Sequence, residues 1–206
     1  MGKKLSTVSL NLYNNKDWYS SWYVHKEDFS KNLQVDLLLY SFFRSQIINT
    51  DNFEIIRVRS YRINHYIIID LDIFFLKINN NIVDFLINMN KTFGKKNYLL
   101  LVINKLTHSF CLSNGYFLAI KIAKLIERRI KFRSKTIKML LKKSKQFCKG
   151  IHVLCSGRIN NVDMARTDNL YIGSVPLQSK DIPIDFGFTA ANTIKGLLSI
   201  KVWVYK

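Results

Sequence analysis

The chain is 206 residues long and 48% hydrophobic, and its 32 Lys and Arg against 14 Asp and Glu leave a formal net charge of +18. The apolar fraction suffices for the core of one large domain or two small ones, which excludes a disordered tail. The charge calls for, or at least tolerates, a polyanionic partner, with nucleic acid first and an anionic membrane surface second.

Residues 27–48 read as a helix, because Phe29, Leu33, Leu37 and Tyr40 recur at spacings of four and three. Residues 53–60 and 63–72 read as two strands. Phe53, Ile55, Arg57 and Arg59 share one side of the first; Ile63, His65, Ile67, Ile69 and Leu71 share one side of the second. Tyr61-Arg62 between them reads as a hairpin turn. The longest apolar runs, 66–76 and 98–106, fall well short of the roughly 18 residues of a membrane span and read as buried strands; Asp70 and Asp72 break the first. His65, Asp70 and Asp72 lie close in sequence, and a strand edge explains them better than a catalytic site. Residues 81–92 look helical, with Ile82, Phe85, Leu86 and Met89 on one face, and 97–106 look like a strand.

Two further helical patterns cover about 115–131 and 134–148. Ala119, Ala123, Ile126 and Ile130 form the apolar stripe of the first; Ile137, Leu140 and Leu141 form that of the second. Between residues 121 and 149 stand twelve Lys and Arg and a single acid, Glu127. Lys135, Lys138, Lys142, Lys145 and Lys149 recur at 3, 4, 3 and 4, which places them on one helical face. A solvated helix usually mixes signs and gains weak pair energies. A run of like charges forgoes them, so a phosphate-binding face is favoured over a merely solubilising one.

From residue 151 the pattern turns to strands, with Ile151, Val153 and Cys155 alternating with His152 and Leu154. Asn160-Asn161 suits a tight hairpin, because Asn tolerates positive φ. Residues 162–171, 182–191 and 197–205 are three more strand candidates. Cys111, Cys148 and Cys155 are odd in number and lack metal-ligand spacing, so they read as small buried hydrophobes in a reducing compartment. No metal and no cofactor are expected. The chain shows no Walker A motif, no paired glycine-rich loop after a strand, no HExxH and no nucleophile elbow, so no enzyme is expected either.

Several short motifs then stand in order: Gly150-Ile151, Ser156-Gly157-Arg158, Ala165-Arg166-Thr167, Val175-Pro176-Leu177, Ile184-Asp185-Phe186-Gly187, Gly196 and Lys201-Val202-Trp203-Val204. They resemble the C-terminal domain of the ribosomal protein S3 family. Glu127-Arg128-Arg129 and Phe132-Arg133 resemble the helix that opens that domain, and Trp18, Ser20, Trp22 and Asp36 fit the family's N-terminal segment. The resemblance implies an α+β fold: a type II KH domain followed by a C-terminal domain of two helices packed on a mostly antiparallel four-stranded sheet. It divides the chain into an N-terminal extension at 1–26, a KH-like domain at 27–107 and the C-terminal domain at 108–206.

The resemblance also implies a structural constituent of the small-subunit head. Its partners would be small-subunit rRNA, mRNA where it enters the subunit, and neighbouring head proteins, with no membrane insertion. Arg133, Lys135 and Lys138 fall where the family faces incoming mRNA, with an uncharged Ser134 among them. Lys142, Lys145, Lys149, Arg128 and Arg129 extend the basic set. Lys3 and Lys4 follow rRNA or belong to a frayed terminus. The family's GXXG loop would fall at Lys77-Ile78-Asn79-Asn80, which has no glycine to let backbone amides approach a phosphate. Lys77 is left with a simple charge contact. Tyr171, Ser174 and Asp181 stand where the family commonly has Arg, so the basic surface there is thinner.

Arg158 and Arg166 carry two readings, contact with RNA or a neighbouring protein, and a local bond such as an ion pair with Asp163. Trp203 reads as core rather than as a stacking platform. Trp18 and Trp22, flanked by Tyr19 and Tyr23, anchor the N-terminal segment on a partner or pack inside. The abundance of Asn, Ile, Lys, Phe and Tyr with few Gly and Pro points to an AT-rich genome. Met1-Gly2-Lys3-Lys4 opens no long Arg- and Ser-rich presequence, so an organellar protein of this kind would be made in its organelle. A mitochondrion is expected, with a plastid as the alternative. A free-standing organellar RNA-binding factor for processing or splicing, and a basic membrane-surface protein, are the competing functions.

Overall fold

The computed structural model describes Leu12 and residues 18–49, 53–63, 66–75, 98–179 and 181–206. The chain forms two compact units, one within Trp18–Thr107 and one of His108–Lys206 together with Leu12.

The N-terminal unit contains β1 (Ser20–Ser21), α1 (Lys26–Asn49), β2 (Phe53–Ile63), β3 (Tyr66–Phe75) and β4 (Tyr98–Lys105). The sheet order is β1-β2-β3-β4; β2 and β3 are antiparallel, while β1 runs parallel to β2 and β4 parallel to β3. A parallel pair such as β3 and β4 needs a crossover connection. That stretch, 76–97, lies outside the described residues, and with it the expected helix at 81–92 and the loop at Lys77–Asn80. The core joins Leu39 and Phe43 of α1 to Ile55, Ile67, Ile69, Leu71 and Ile73 of the sheet.

Three expectations in this unit need correction. Phe29, Leu33 and Leu37 do not face the core: they are 51%, 42% and 61% exposed. The buried side of α1 is the neighbouring stripe of Val35, Asp36, Leu39 and Phe43. A carboxylate on a helix stripe argues against burial unless it is paired. Asp36 is paired: it accepts from the Arg62 guanidinium at 2.7 Å, from the Trp22 indole N–H at 2.7 Å and from the Ser20 hydroxyl.

The turn also does not fall at Tyr61-Arg62. Both pair across the hairpin with Ile68 and Ile67, because β1 pairs alongside Ser60 and Tyr61 and Arg62 reaches Asp36. Finally, a β-bulge between Ile55 and Arg57 breaks the assumed alternation. Ile55 and Ile56 are both buried, and Arg57 and Arg59 turn to the side opposite Ile55, across from Asp72 and Asp70.

The C-terminal unit contains α2 (His108–Leu112), α3 (Gly115–Glu127), α4 (Lys135–Lys145), β5 (Gly150–Gly157), a short 3-10 turn (Ile159–Asn161), β6 (Arg166–Gly173), β7 (Ile184–Thr193) and β8 (Gly196–Tyr205). Its sheet, in order β6-β5-β8-β7, is wholly antiparallel. Helix α3 packs on β7 and β8, and α4 packs on β5 and β6. Ile151, Val153 and Cys155 of β5 are buried, as are Ile200, Val202 and Val204 of β8. Phe117, Leu118, Ile122 and Ile126 of α3 and Ile137 and Leu141 of α4 join this core. At Gly187 of β7 an added Cβ would sit 2.2 Å from the Gly115 carbonyl oxygen, so only glycine lets the start of α3 approach the strand this closely. The fold is the expected α+β arrangement, with helices on a four-stranded antiparallel sheet.

The local signals are readable in the caps. The Asn114 side chain accepts from the Tyr116 and Phe117 amides, and the Ser134 hydroxyl accepts from Ile137 N–H. Both helices are shorter than their apolar patterns. Helix α3 stops at Glu127 because Arg129 adopts φ 64°, with Arg129 N–H bonded to Ile126 O and Ile130 N–H to Leu125 O. This is a Schellman ending with arginine where glycine is usual. Asn160 and Asn161 both take positive φ, as their residue type suggests, but they close a 3-10 turn inside the longer 158–165 connection between β5 and β6 rather than a tight hairpin.

Candidate nucleic-acid interface

Helix α4 buries Ile137, Leu141 and Ser144 at spacings of four and three. That stripe turns Lys135, Lys138, Lys142 and Lys145 to solvent, and all four are exposed. The first turn of α4 holds no acid, and Lys142, Lys143 and Lys145 crowd its last turn. Cations there suit the helix dipole, but each like-charged pair one turn apart destabilises the helix by a few tenths of a kcal/mol. A phosphate relieves that repulsion.

Lys149 does not continue the lysine face. The helix ends at Lys145, and the chain turns through Gln146 and Phe147 towards β5. The backbone N–H of Lys149 bonds Tyr205 O at 2.9 Å, and its ammonium lies 4.8 Å from the Tyr205 ring centre.

Arg133 is also not a free cation. Its Nε and Nη2 donate to both carboxylate oxygens of Asp168 in β6, at 2.8 and 2.6 Å. The Asp168 carboxyl is held below its usual range, first by the hydrogen bond from Arg133. The partners are 35 residues apart, so no local pattern discloses the pair. Arg166, which opens β6, is exposed and lowers the Asp168 pKa further.

Arg128 and Arg129 are exposed in the turn that ends α3. Arg158 is held locally: it donates to Val162 O and to Asp163 Oδ1, both at 3.0 Å. Asp163 also meets Lys195 Nζ at 3.5 Å. Lys3, Lys4 and Lys77 lie outside the described residues. Lys131 and Lys143, not singled out from the sequence, are exposed beside the others. Their signal was the charge run itself.

The opposite face of the sheet carries a feature that no single strand reveals. Register places Tyr171 beside His152, His152 beside Trp203, and Trp203 beside Phe186, one ring on each strand. The His152 ring lies 4.1 Å from Tyr171 at 10° and 4.7 Å from Trp203 at 15°; Phe186 tilts against Trp203 at 5.5 Å. Trp203 is buried, as its core reading expects.

The remaining polar groups are structural. Arg59 pairs with Asp70 at 2.7 Å and lies 3.9 Å from Asp72, and the Asn104 amide donates to both acids. The two acids sit on the interior strand β3 rather than at a sheet edge, and His65 is outside the described residues. Trp22 turns inward to Asp36, while Trp18 is exposed. All three cysteines are buried thiols, and burial pushes the Cys155 thiol up to about 11. Among the described residues no cluster of His, Cys, Asp or Glu is placed to hold a metal ion, and no helix is long and apolar enough to cross a membrane.

The family described as "Ribosomal protein S3, C-terminal domain" matches residues 122–204, which span α4 and the antiparallel sheet up to Val204 in β8. Among curated proteins, the small ribosomal subunit protein uS3 of Clostridium botulinum (strain Alaska E43 / Type E3) is 29% identical over all of this chain and 93% of its own length. The uS3 of Clostridium botulinum (strain Okra / Type B1) is 30% identical, covering 100% of this chain and 92% of the relative. That of Ehrlichia ruminantium (strain Gardel) is 32% identical, covering 100% and 96%. With relatives of this identity matching from end to end, the chain belongs to the ribosomal protein S3 (uS3) family, whose members are structural proteins and not enzymes.

Proposed function

We propose that the chain is a structural constituent of the small ribosomal subunit head, where it binds rRNA and lines the channel through which mRNA enters. The lysine face of α4 carries this reading: four exposed lysines are held in one direction by the burial of Ile137 and Leu141. Lys135 and Lys138, with Arg133 beside them, meet incoming mRNA. Lys142, Lys145, Lys149, Arg128, Arg129, Arg158 and Arg166 meet rRNA phosphates or neighbouring head proteins, and Lys3, Lys4 and Lys77 add charge contacts. The chain works as an extension at 1–26, a KH-like domain at 27–107 that serves mainly as a scaffold, and a C-terminal domain at 108–206 that carries most of the RNA chemistry. It acts in an organellar ribosome, that of a mitochondrion before that of a plastid, a reading supported by the Asn-, Ile- and Lys-rich composition.

Sedimentation tests the first claim. The chain is expected to travel with the small subunit through a high-salt gradient, and its recovery only from soluble or membrane fractions would refute the reading. For the channel, Arg133→Ala combined with Lys138→Ala should impair translation through structured mRNA, and unchanged unwinding by mutant ribosomes would count against it.

A further inference from the structure

The aromatic row, on the sheet face opposite Ile151, Val153 and Cys155, has a direction. It runs from Phe186 on β7 through Trp203 and His152 to Tyr171 on β6, which is an edge strand. The inner rings are enclosed, with His152 1% and Trp203 5% exposed. The last ring is not: Tyr171 is 63% exposed although one of its faces lies flat on His152. Among the described residues no strand stands beyond β6. The outer face of the Tyr171 phenol therefore ends a stacked column on the side where the sheet ends.

We infer that Tyr171 is a base-stacking site whose outer ring face takes an unpaired rRNA base and so extends the column by one member. This rests on the RNA-binding reading above and gives it a second chemistry beside charge. The near-parallel planes at 10° and 15° favour a flat π-system over an aliphatic side chain. A guanidinium from a neighbouring protein is also flat, but a chain of net charge +18 repels it, whereas a nucleotide brings its own anion. Helix α4 packs on β5 and β6 from the other side of the same sheet, so its lysines stand over the strand that carries Tyr171. RNA passing the β6 edge meets cations on one side and a ring on the other, the pairing by which single strands are held without sequence readout. Asn169, two residues before Tyr171 and on the same face, is exposed, with its amide oxygen 3.4 Å from His152 Nε2.

The test compares the full chain with its Tyr171→Leu and Tyr171→Trp variants. The probes are a single-stranded RNA dodecamer and the same dodecamer with abasic sugars, which keeps every phosphate. Stacking is worth about 1–3 kcal/mol per base, so Tyr171→Leu should weaken binding to the intact RNA by roughly 5- to 150-fold. Its salt dependence should not change, because no phosphate contact is lost. Tyr171→Trp should bind at least as tightly as the wild type, and on abasic RNA all three should bind alike. In assembled small subunits without mRNA, Tyr171→Leu should raise the chemical reactivity of one rRNA base.

Wild-type binding by Tyr171→Leu, or an equal loss on intact and abasic RNA, would overturn the stacking site and leave the edge to a protein neighbour. An unchanged rRNA reactivity pattern would overturn rRNA as the source of the base. Lys138→Gln with Lys142→Gln keeps the two readings apart: it should weaken binding to both RNAs and flatten the salt dependence even if Tyr171 plays no part. Failure of the wild type to bind either RNA would overturn both readings together.

Discussion

Two ion pairs of almost equal length divide the molecule. In the N-terminal unit Arg62 and Asp36 meet at 2.7 Å with side chains 8% and 5% exposed. In the C-terminal unit Arg133 and Asp168 meet at 2.6 Å, but the Arg133 side chain is 66% exposed. Distance does not distinguish the pairs; solvent does. The first was taken out of water and is held by further donors from Trp22 and Ser20, so removing either partner strands a buried charge. The second is screened and exchangeable, so a phosphate can compete for its arginine. The same contrast runs through each unit. Arg59, Asp70, Asp72 and Asn104 settle their charges among themselves, whereas α4 sends a run of unmatched lysines outward.

The sharpest way to break this contrast is Asp36→Ala. It leaves Arg62 buried and unpaired, at a cost of about 3–5 kcal/mol. Hydrogen exchange should accelerate at the β2 and β3 amides while β5 and β8 stay protected, and uniform acceleration would contradict two separately stabilised units. Next comes Gly187→Ala. Its Cβ would meet the Gly115 backbone at 2.2 Å, so the C-terminal unit should lose about 1–3 kcal/mol in a thermal melt, with β2–β3 exchange unaffected.

Smaller in stability but larger in function is Lys138→Gln with Lys142→Gln. Easing like-charge repulsion should leave the melting temperature unchanged or slightly raised. The slope of log affinity against log salt for single-stranded RNA should fall by about 0.7 for each phosphate contact removed. The smallest expected effect is that of Asp168→Asn. It should shift stability by no more than about 1 kcal/mol, since the pair lies at the surface, and should tighten RNA binding by releasing Arg133. The Asp168 carboxyl titrates below its unfolded value of 3.8, so the pair's contribution is present above that pH and is lost as pH falls through the lower folded value. An acid titration of stability should therefore lose this contribution in Asp168→Asn.

Legibility from the sequence followed the range of the interaction. Where neighbours along the chain decide, the reading held: the positive φ at Asn160-Asn161, the alternation of Ile151, Val153 and Cys155, and the lysine spacing from 135 to 145. Where a partner from another element decides, it did not. Helix α1 offers two apolar stripes, and the one containing Asp36 is buried because Arg62 and Trp22 neutralise it from outside the helix. The bulge after Ile55 and the departure of Lys149 from the lysine face likewise came from pairing and packing rather than periodicity, while the end of α3 at Arg129 is a local Schellman turn that apolar spacing does not show.

By itself the sequence determined the family, the α+β class and a basic helical face, because composition, spacing and ordered motifs are properties of the chain read in line. Only the tertiary structure decided which cations stand free and which rings line up. Arg133 finds Asp168 across 35 residues, and Tyr171, His152, Trp203 and Phe186 are contributed by four different strands. Cross-strand register and long-range ion pairs form when distant segments meet, so no window of sequence contains them.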